Sequence, residues 1–197
     1  MLRDEPKMCK YLDIPLQHIA DNQLSAMRRR ITKAETEALV DRLRTEIPDI
    51  ALRTTMLVGF PGETEEDFEK LCDFVQRVRF DRLGAFAYSE EEGTPSALNL
   101  TDDVPEEVKE ERVERLMKLQ KRISLALNAE RVGKRMKVVI DRTEGEFYIG
   151  RSQYDSPEVD EEILVSSPAP LSEGDFVMVE ITDCEEYDLY GKVVSEN

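Results

Sequence analysis

The chain has 197 residues, 40% of them hydrophobic and 36% charged, with a formal net charge of −16. That composition can build one large or two small hydrophobic cores, and no stretch approaches the roughly 20 apolar residues that a membrane helix needs. The opening MLRDEPKMCK lacks a signal-peptide core, so a cytoplasmic location is expected.

KYLDIPLQH (10–18) reads as a short buried strand ending in two polar side chains, Gln17 and His18. Arg28, Arg29 and Arg30 follow, a basic cluster that is either an anion-facing patch or plain surface charge. Thr32 and Glu35 have the spacing of a capping box, and Leu39, Val40, Leu43 and Ile47 recur at helical spacing until Pro48. IALRTTMLVGF (50–60) is a nearly continuous apolar strand of the kind buried on both faces in parallel sheets. Thr64 then caps a helix whose first turn, Glu65-Glu66-Asp67, is acidic where the dipole favours it, with Phe68, Leu71, Cys72, Val75 and Val78 as its core face. RLGAFAYS (82–89) is a third strand. Alternating strands and helices of this length predict βα units with right-handed crossovers. Three strands fall short of an eight-stranded barrel or an open doubly wound sheet, so this half is expected to be part of something larger.

Pro105 opens a long connecting helix over 106–131, with Val113, Leu116, Met117, Gln120, Ile123 and Leu127 along one face. Beyond Gly133 five short β-rich runs predict a small antiparallel barrel resembling an OB-fold. The expected organisation is therefore α/β: a partial (β/α) barrel half over 1–104, the connecting helix over 105–131, and a five-stranded barrel over 132–197. The last of these has 6 basic and 16 acidic residues, a surface that repels nucleic acid and favours a basic partner.

GFPGET (59–64) stands at a strand-to-helix corner, yet it has neither the lysine nor the spacing of a phosphate-binding loop, and it is not GxGxxG. Local evidence reads it as a plain turn with room for close backbone approach at Gly59 and Gly62. Ligands of parallel α/β sheets sit at the carboxyl ends of strands, which marks Gln17 and His18, and Tyr88 with Glu90, as candidates. Arg53 and Thr54 lie within the second strand, where an inward arginine needs a partner or a carboxylate to clamp. Cys9, Cys72 and Cys184 are far apart, and with a single histidine they predict neither a disulfide framework nor a metal site.

YLDIPLQH followed by MRRR, then IPDIALRTTMLVGFPGETEEDF, FAYSEEEGTP and EGEFYIGRSQYDSPEVDEEILV, resemble in order the methylthiotransferase family of radical S-adenosylmethionine enzymes. The resemblance covers essentially the whole chain, as the C-terminal half of the radical domain followed by a TRAM domain. It leans toward the branch that modifies an aspartate of a small-subunit ribosomal protein. Transfer-RNA enzymes of the family read like LPVQSGS where this chain has IPLQHIA, and their TRAM domains hold RNA with basic residues where Asp155 stands here.

The resemblance implies cleavage of S-adenosylmethionine to a radical that takes a hydrogen from the aspartate β-carbon, and installation of a methylthio group with an auxiliary cluster. Two 4Fe-4S clusters are implied for the full-length enzyme; the CxxxCxxC motif that would hold one of them is missing here, so no bound cluster, no catalytic residue and no turnover are expected of this chain alone. Gln17, His18, Arg53, Thr54, Gly59 and Gly62 are expected to line the cofactor, and Tyr88, Glu90, Tyr154, Asp155 and Glu158 to face the substrate. The partner expected is the basic ribosomal protein or its 30S particle, and the exposed edge of a half-barrel could dimerise. A transfer-RNA methylthiotransferase, supported by Arg28 to Arg30, and a non-enzymatic interaction module are the alternatives.

Overall fold

The computed structural model describes residues 2–157 and 159–194. It divides into two compact units, one of residues 12–120 and the other of residues 1–11 together with 121–197.

The first unit alternates strands and helices: β1 (Tyr11–Gln17), α1 (Asp21–Ala26), α2 (Lys33–Glu46), β2 (Ala51–Val58), α3 (Glu65–Val78), β3 (Arg82–Ala87), α4 (Pro95–Asn99) and the first part of α5 (Glu106–Ala129). The sheet order is β1-β2-β3, with β2 and β3 parallel from Arg53↔Arg82 to Val58↔Ala87. The expected capping box of Thr32 with Glu35 forms, and the expected cap at Thr64 is a second such box, closed by Asp67.

The expectation that β2 is buried on both faces is corrected by the structure. Leu52, Thr54, Met56 and Val58 are buried, whereas Arg53, Thr55 and Leu57 are only half-buried. With Phe68, Leu71, Phe74 and Val75 of α3 also buried, the even-numbered side of β2 faces the helices. The other face is open: next to Thr55 and Leu57 in the parallel register lie Gly84 and Phe86, and Phe86 is 60% exposed.

Two short helices escaped the sequence reading. Helix α1 starts at Ala20 with no side-chain cap, so nothing in the sequence announces it. Helix α4 does have a signal, Thr94 as N-cap with Pro95 at the first helical position. The buried face of α5 in this unit also differs from the expected one. Lys109, Arg112, Leu116, Leu119 and Gln120 are buried, so the stripe begins with two cations instead of Val113 and Met117.

In the second unit β4 (Arg135–Glu144), β5 (Phe147–Arg151), β6 (Glu162–Ser166), β7 (Phe176–Cys184) and β8 (Asp188–Val193) close in the order β4-β5-β6-β8-β7. The pairings are antiparallel except β6 with β8, which is parallel. Val138, Ile140, Ile163, Val165, Val179, Ile181 and Leu189 fill the barrel, each nearly inaccessible to solvent. These are alternate residues along their strands, the period that puts one face of a closed sheet inside. Residues of the N-terminal segment join this unit, with the Tyr11 hydroxyl donating to Asp160 Oδ2 at 2.7 Å. No helix among the described residues is long and apolar enough to cross a membrane.

Candidate functional site at the strand ends

The carboxyl ends of β1 and β2 meet helix α5 around one buried carboxylate, Glu63. Strand β1 ends at Gln17, whose φ of 71° lies in the left-handed region, and the chain turns so that His18 is fully buried. The Ala20 N–H donates to His18 Nδ1 at 3.0 Å, so the ring proton on the other nitrogen is directed at Glu63, with Nε2 3.3 Å from Oε1. The second carboxylate oxygen accepts from the Gly59 N–H and lies 3.3 Å from Arg112 Nη1. The same guanidinium donates to the Glu63 carbonyl at 3.2 Å and reaches Glu65 at 3.3 Å. Glu63 is thus one acid holding three donors, from the end of β1, the end of β2 and helix α5.

Arg115 on the next turn of α5 donates to Glu65 at 2.7 Å and also pairs with Glu69. That contact, with lesser help from Arg112, holds the Glu65 carboxyl below its ordinary range. Both guanidiniums lie over the Phe68 ring, at 5.4 and 4.8 Å from its centroid.

Lys109 covers the other side of the corner. Its aliphatic stem runs across Gly59, where a Cβ would fall within contact distance of Lys109 Cγ. Its ammonium donates to Asp102 at 2.6 Å and Glu106 at 3.4 Å and sits 5.5 Å from the Tyr88 ring centroid. Burial alone would lower the lysine's pKa, but the two carboxylates outweigh it and the net shift is upward. Tyr88 follows β3, packs edge-on against Phe60 at 5.0 Å, and is 6% exposed. Its hydroxyl is buried with no hydrogen-bond partner among the described residues.

These positions revise several expectations. The close approach at Gly59 is made by Lys109 of the same chain. Gly62 has open space where a side chain would go; its φ of 79° requires glycine, and its N–H donates to Asp103 at 2.7 Å. The Thr54 hydroxyl faces the helix side and links strands, donating to the Ile14 carbonyl at 2.8 Å. Arg53 instead lies on the open face and pairs with Asp13 at 2.7 Å. Glu90 is exposed beyond Tyr88. The structure therefore brings together His18, Gly59 and Tyr88, and adds Glu63, Lys109 and Arg112. The last two come from α5, well beyond the end of β3, and the apolar spacing of that helix does not mark them.

The remaining candidates are in the barrel unit. Asp155 was expected to face a partner, but it is only 8% exposed and its carboxylate accepts from the Ser152 hydroxyl at 2.7 Å, closing a turn. The Tyr154 ring is half-buried, with Arg131 5.6 Å from its centroid. Glu158 lies outside the described residues. A different acidic surface stands out: Glu162 and Asp188 are neighbours across the parallel pair, with Glu185 close by. Burial, then the charges of Glu162 and Glu185, push the Asp188 carboxyl up. Tyr190 beside it shares its hydroxyl with Glu185 at 3.3 Å and packs against Phe147 at 6.3 Å. Like charges crowded beside half-buried aromatic rings gain when a cation arrives.

The cysteines fit no cluster. Cys9 is exposed, Cys72 and Cys184 are half-buried, and no group of three possible metal ligands exists among the described residues. Burial raises the Cys72 thiol to about 11, away from the thiolate that ligation requires.

Residues 1–75 match the radical SAM superfamily and residues 132–194 match the TRAM domain. Over 195 residues the chain is 54% identical to a ribosomal protein uS12 methylthiotransferase of Parabacteroides distasonis, covering 99% of this chain and 45% of that protein. The counterpart in Porphyromonas gingivalis is 55% identical over 196 residues and that in Christiangramia forsetii 49% over 193, covering 45% and 43% of those proteins. The chain thus spans less than half the length of these relatives. Among solved structures, Escherichia coli coproporphyrinogen III oxidase, a radical SAM enzyme, superposes with a TM-score of 0.51 at 16% identity, covering 73% of this chain and 39% of the other. That likeness concerns the fold.

Proposed function

We infer, from a chain homologous over nearly all its length to the radical S-adenosylmethionine methylthiotransferases, that it supplies half of an enzyme modifying ribosomal protein uS12. The single observation that carries this reading is identity above 50% over 98–100% of the chain to several proteins of that name. The reaction proposed is methylthiolation of an aspartate β-carbon, with the radical and sulfur chemistry supplied by S-adenosylmethionine and two iron–sulfur clusters when bound.

The role of these residues is to shape and orient. The Glu63 hub holds the ends of β1 and β2 to α5, which fixes the corner against which a cofactor would rest. The Tyr88 hydroxyl, buried and unpartnered, is the group best suited to hydrogen-bond it, and Gln17 at the end of β1 the next. The cysteines do not fit either cluster, so the chain by itself would hold none and would not turn over. Substrate recognition falls to the barrel's acidic patch around Asp188 and Glu185, next to the Arg142–Glu162 pair, and its negative charge complements a basic ribosomal protein.

The test uses the full-length enzyme, reconstituted with iron and sulfide, and reads uS12 by mass spectrometry after incubation with S-adenosylmethionine, a sulfur source and a reductant. A methylthio adduct on an aspartate is expected; an adduct on transfer RNA instead would overturn the reading. Asp188→Asn with Glu185→Gln should weaken uS12 binding about tenfold at low salt while leaving the fold intact. A stoichiometric cluster formed on the isolated chain would refute its proposed inability to bind one.

A further inference from the structure

Arg28, Arg29 and Arg30 lie between α1 and α2, and all three are exposed. In a chain with 43 acidic residues, most arginines elsewhere find them: Arg42 pairs with Glu46, Arg77 with Glu37 and Arg142 with Glu162. The side chains of Arg28, Arg29 and Arg30 have no hydrogen bond or ion pair among the described residues.

Their backbone is fixed by the end of α1. The Arg28 N–H donates to the Ser25 carbonyl at 2.9 Å and the Arg29 N–H to the Leu24 carbonyl at 2.8 Å. These two bonds form the Schellman motif that ends a helix, and its left-handed position is held by Arg28 with φ of 58°. Glycine occupies that position without strain and an arginine at some cost, as Arg79 also does at the end of α3.

The location is also informative. Asp21 Oδ1 accepts from the Lys33 N–H at 2.6 Å at the start of α2, and Asn22 donates to Asp67 at 2.8 Å in the first turn of α3. Helix α1 is thereby strapped across the starts of both helices, on the side of the sheet where the strands end. The triplet follows directly from the end of that helix.

We propose that Arg28, Arg29 and Arg30 dock the phosphodiester backbone of RNA, so that the enzyme engages its ribosomal-protein substrate while that protein is RNA-bound. This rests on the proposed function above. An unpaired arginine triplet would repel a free basic protein, whereas guanidinium forks match phosphate oxygens bidentately. The acidic barrel patch and the basic triplet then suit the two components of one ribonucleoprotein. The barrel itself, with 6 basic and 16 acidic residues, takes no RNA.

Two measurements decide the matter, using Arg28→Gly/Arg29→Gln/Arg30→Gln and a triple lysine variant. First, binding of a labelled oligouridine of about 20 nucleotides to this chain is followed against salt. Three neutralised phosphates of a single strand predict a log–log slope of about −2. The neutral variant should lose at least tenfold in affinity and most of the slope, while the lysine variant keeps the slope. Second, the full-length enzyme is given isolated uS12 and uS12 within the small ribosomal subunit. The neutral variant should be about tenfold slower on the particle and unimpaired on the isolated protein. Equal RNA affinity and slope for wild type and neutral variant, or equal losses on both substrates, overturns the proposal. If the wild-type enzyme modifies neither substrate, the proposed function fails, and the oligouridine measurement still judges the triplet by itself.

Discussion

Glu63→Gln tests whether the hub at the strand ends is held by charge and hydrogen-bond count or merely by packing. The carboxylate serves three donors, His18 Nε2–H, Gly59 N–H and the Arg112 guanidinium. Glutamine keeps the shape but offers one acceptor oxygen, and its NH2 group must then face either the imidazole N–H or the Gly59 and Arg112 donors. His18 cannot adapt by moving its proton, because Nδ1 already accepts from Ala20. Leaving one buried donor unmet costs about 1–3 kcal/mol, and leaving a buried charge without its partner costs about 3–5. Glu65 remains near Arg112, which relieves part of the second cost, so a net loss of about 3 kcal/mol is expected. Urea unfolding followed by far-ultraviolet circular dichroism would read it in the transition of the α/β unit, with the slope unchanged. Adding Arg112→Met in the Glu63→Gln background should recover part of the loss, since it removes the uncompensated cation. A Glu63→Gln change below about 1 kcal/mol, the net worth of one ordinary hydrogen bond, would refute the hub.

Gly59→Ala meets both a positive φ and the Lys109 stem, so it should destabilise by about 2–3 kcal/mol; Gly62→Ala meets only the positive φ and should cost about 1 kcal/mol. Equal losses in the two unfolding curves would show that Lys109 does not cover Gly59. Burial would raise the Asp67 carboxyl, but hydrogen bonds from Asn22 and Thr64 prevail and lower it. Its contribution to stability is therefore full above the unfolded value of about 3.9 and is lost as pH falls through the lower folded value. Asn22→Ala should accordingly destabilise at pH 7 and converge with wild type in acid, measured by urea titrations at several pH values; a difference independent of pH would contradict the assignment. Tyr88→Phe removes a buried hydroxyl with no partner, so the isolated chain should be unchanged or slightly more stable, while the full-length enzyme loses affinity for S-adenosylmethionine; a marked loss of stability in the chain would mean the hydroxyl is already bonded.

Local chemistry by itself determined most of the secondary structure. Capping boxes at Thr32 and Thr64, the apolar period of α3, and the β-rich runs after Gly133 act over a few residues, so their outcome is written in adjacent side chains. The ordered motifs likewise determined the kinship, since a set of four spaced stretches is far more specific than any one of them. Only the tertiary structure decided what the strand ends do. Alternation put Arg53 on the open face and Thr54 toward the helices, a choice of face that a continuous apolar run does not encode. Lys109 and Arg112 fall outside the apolar stripe of α5 in sequence, and are buried partners because α5 packs them across Gly59 and onto Glu63. A buried charge is tolerated only where opposite charge and donors converge on it, and that convergence of residues 18, 59, 63 and 112 exists only in three dimensions.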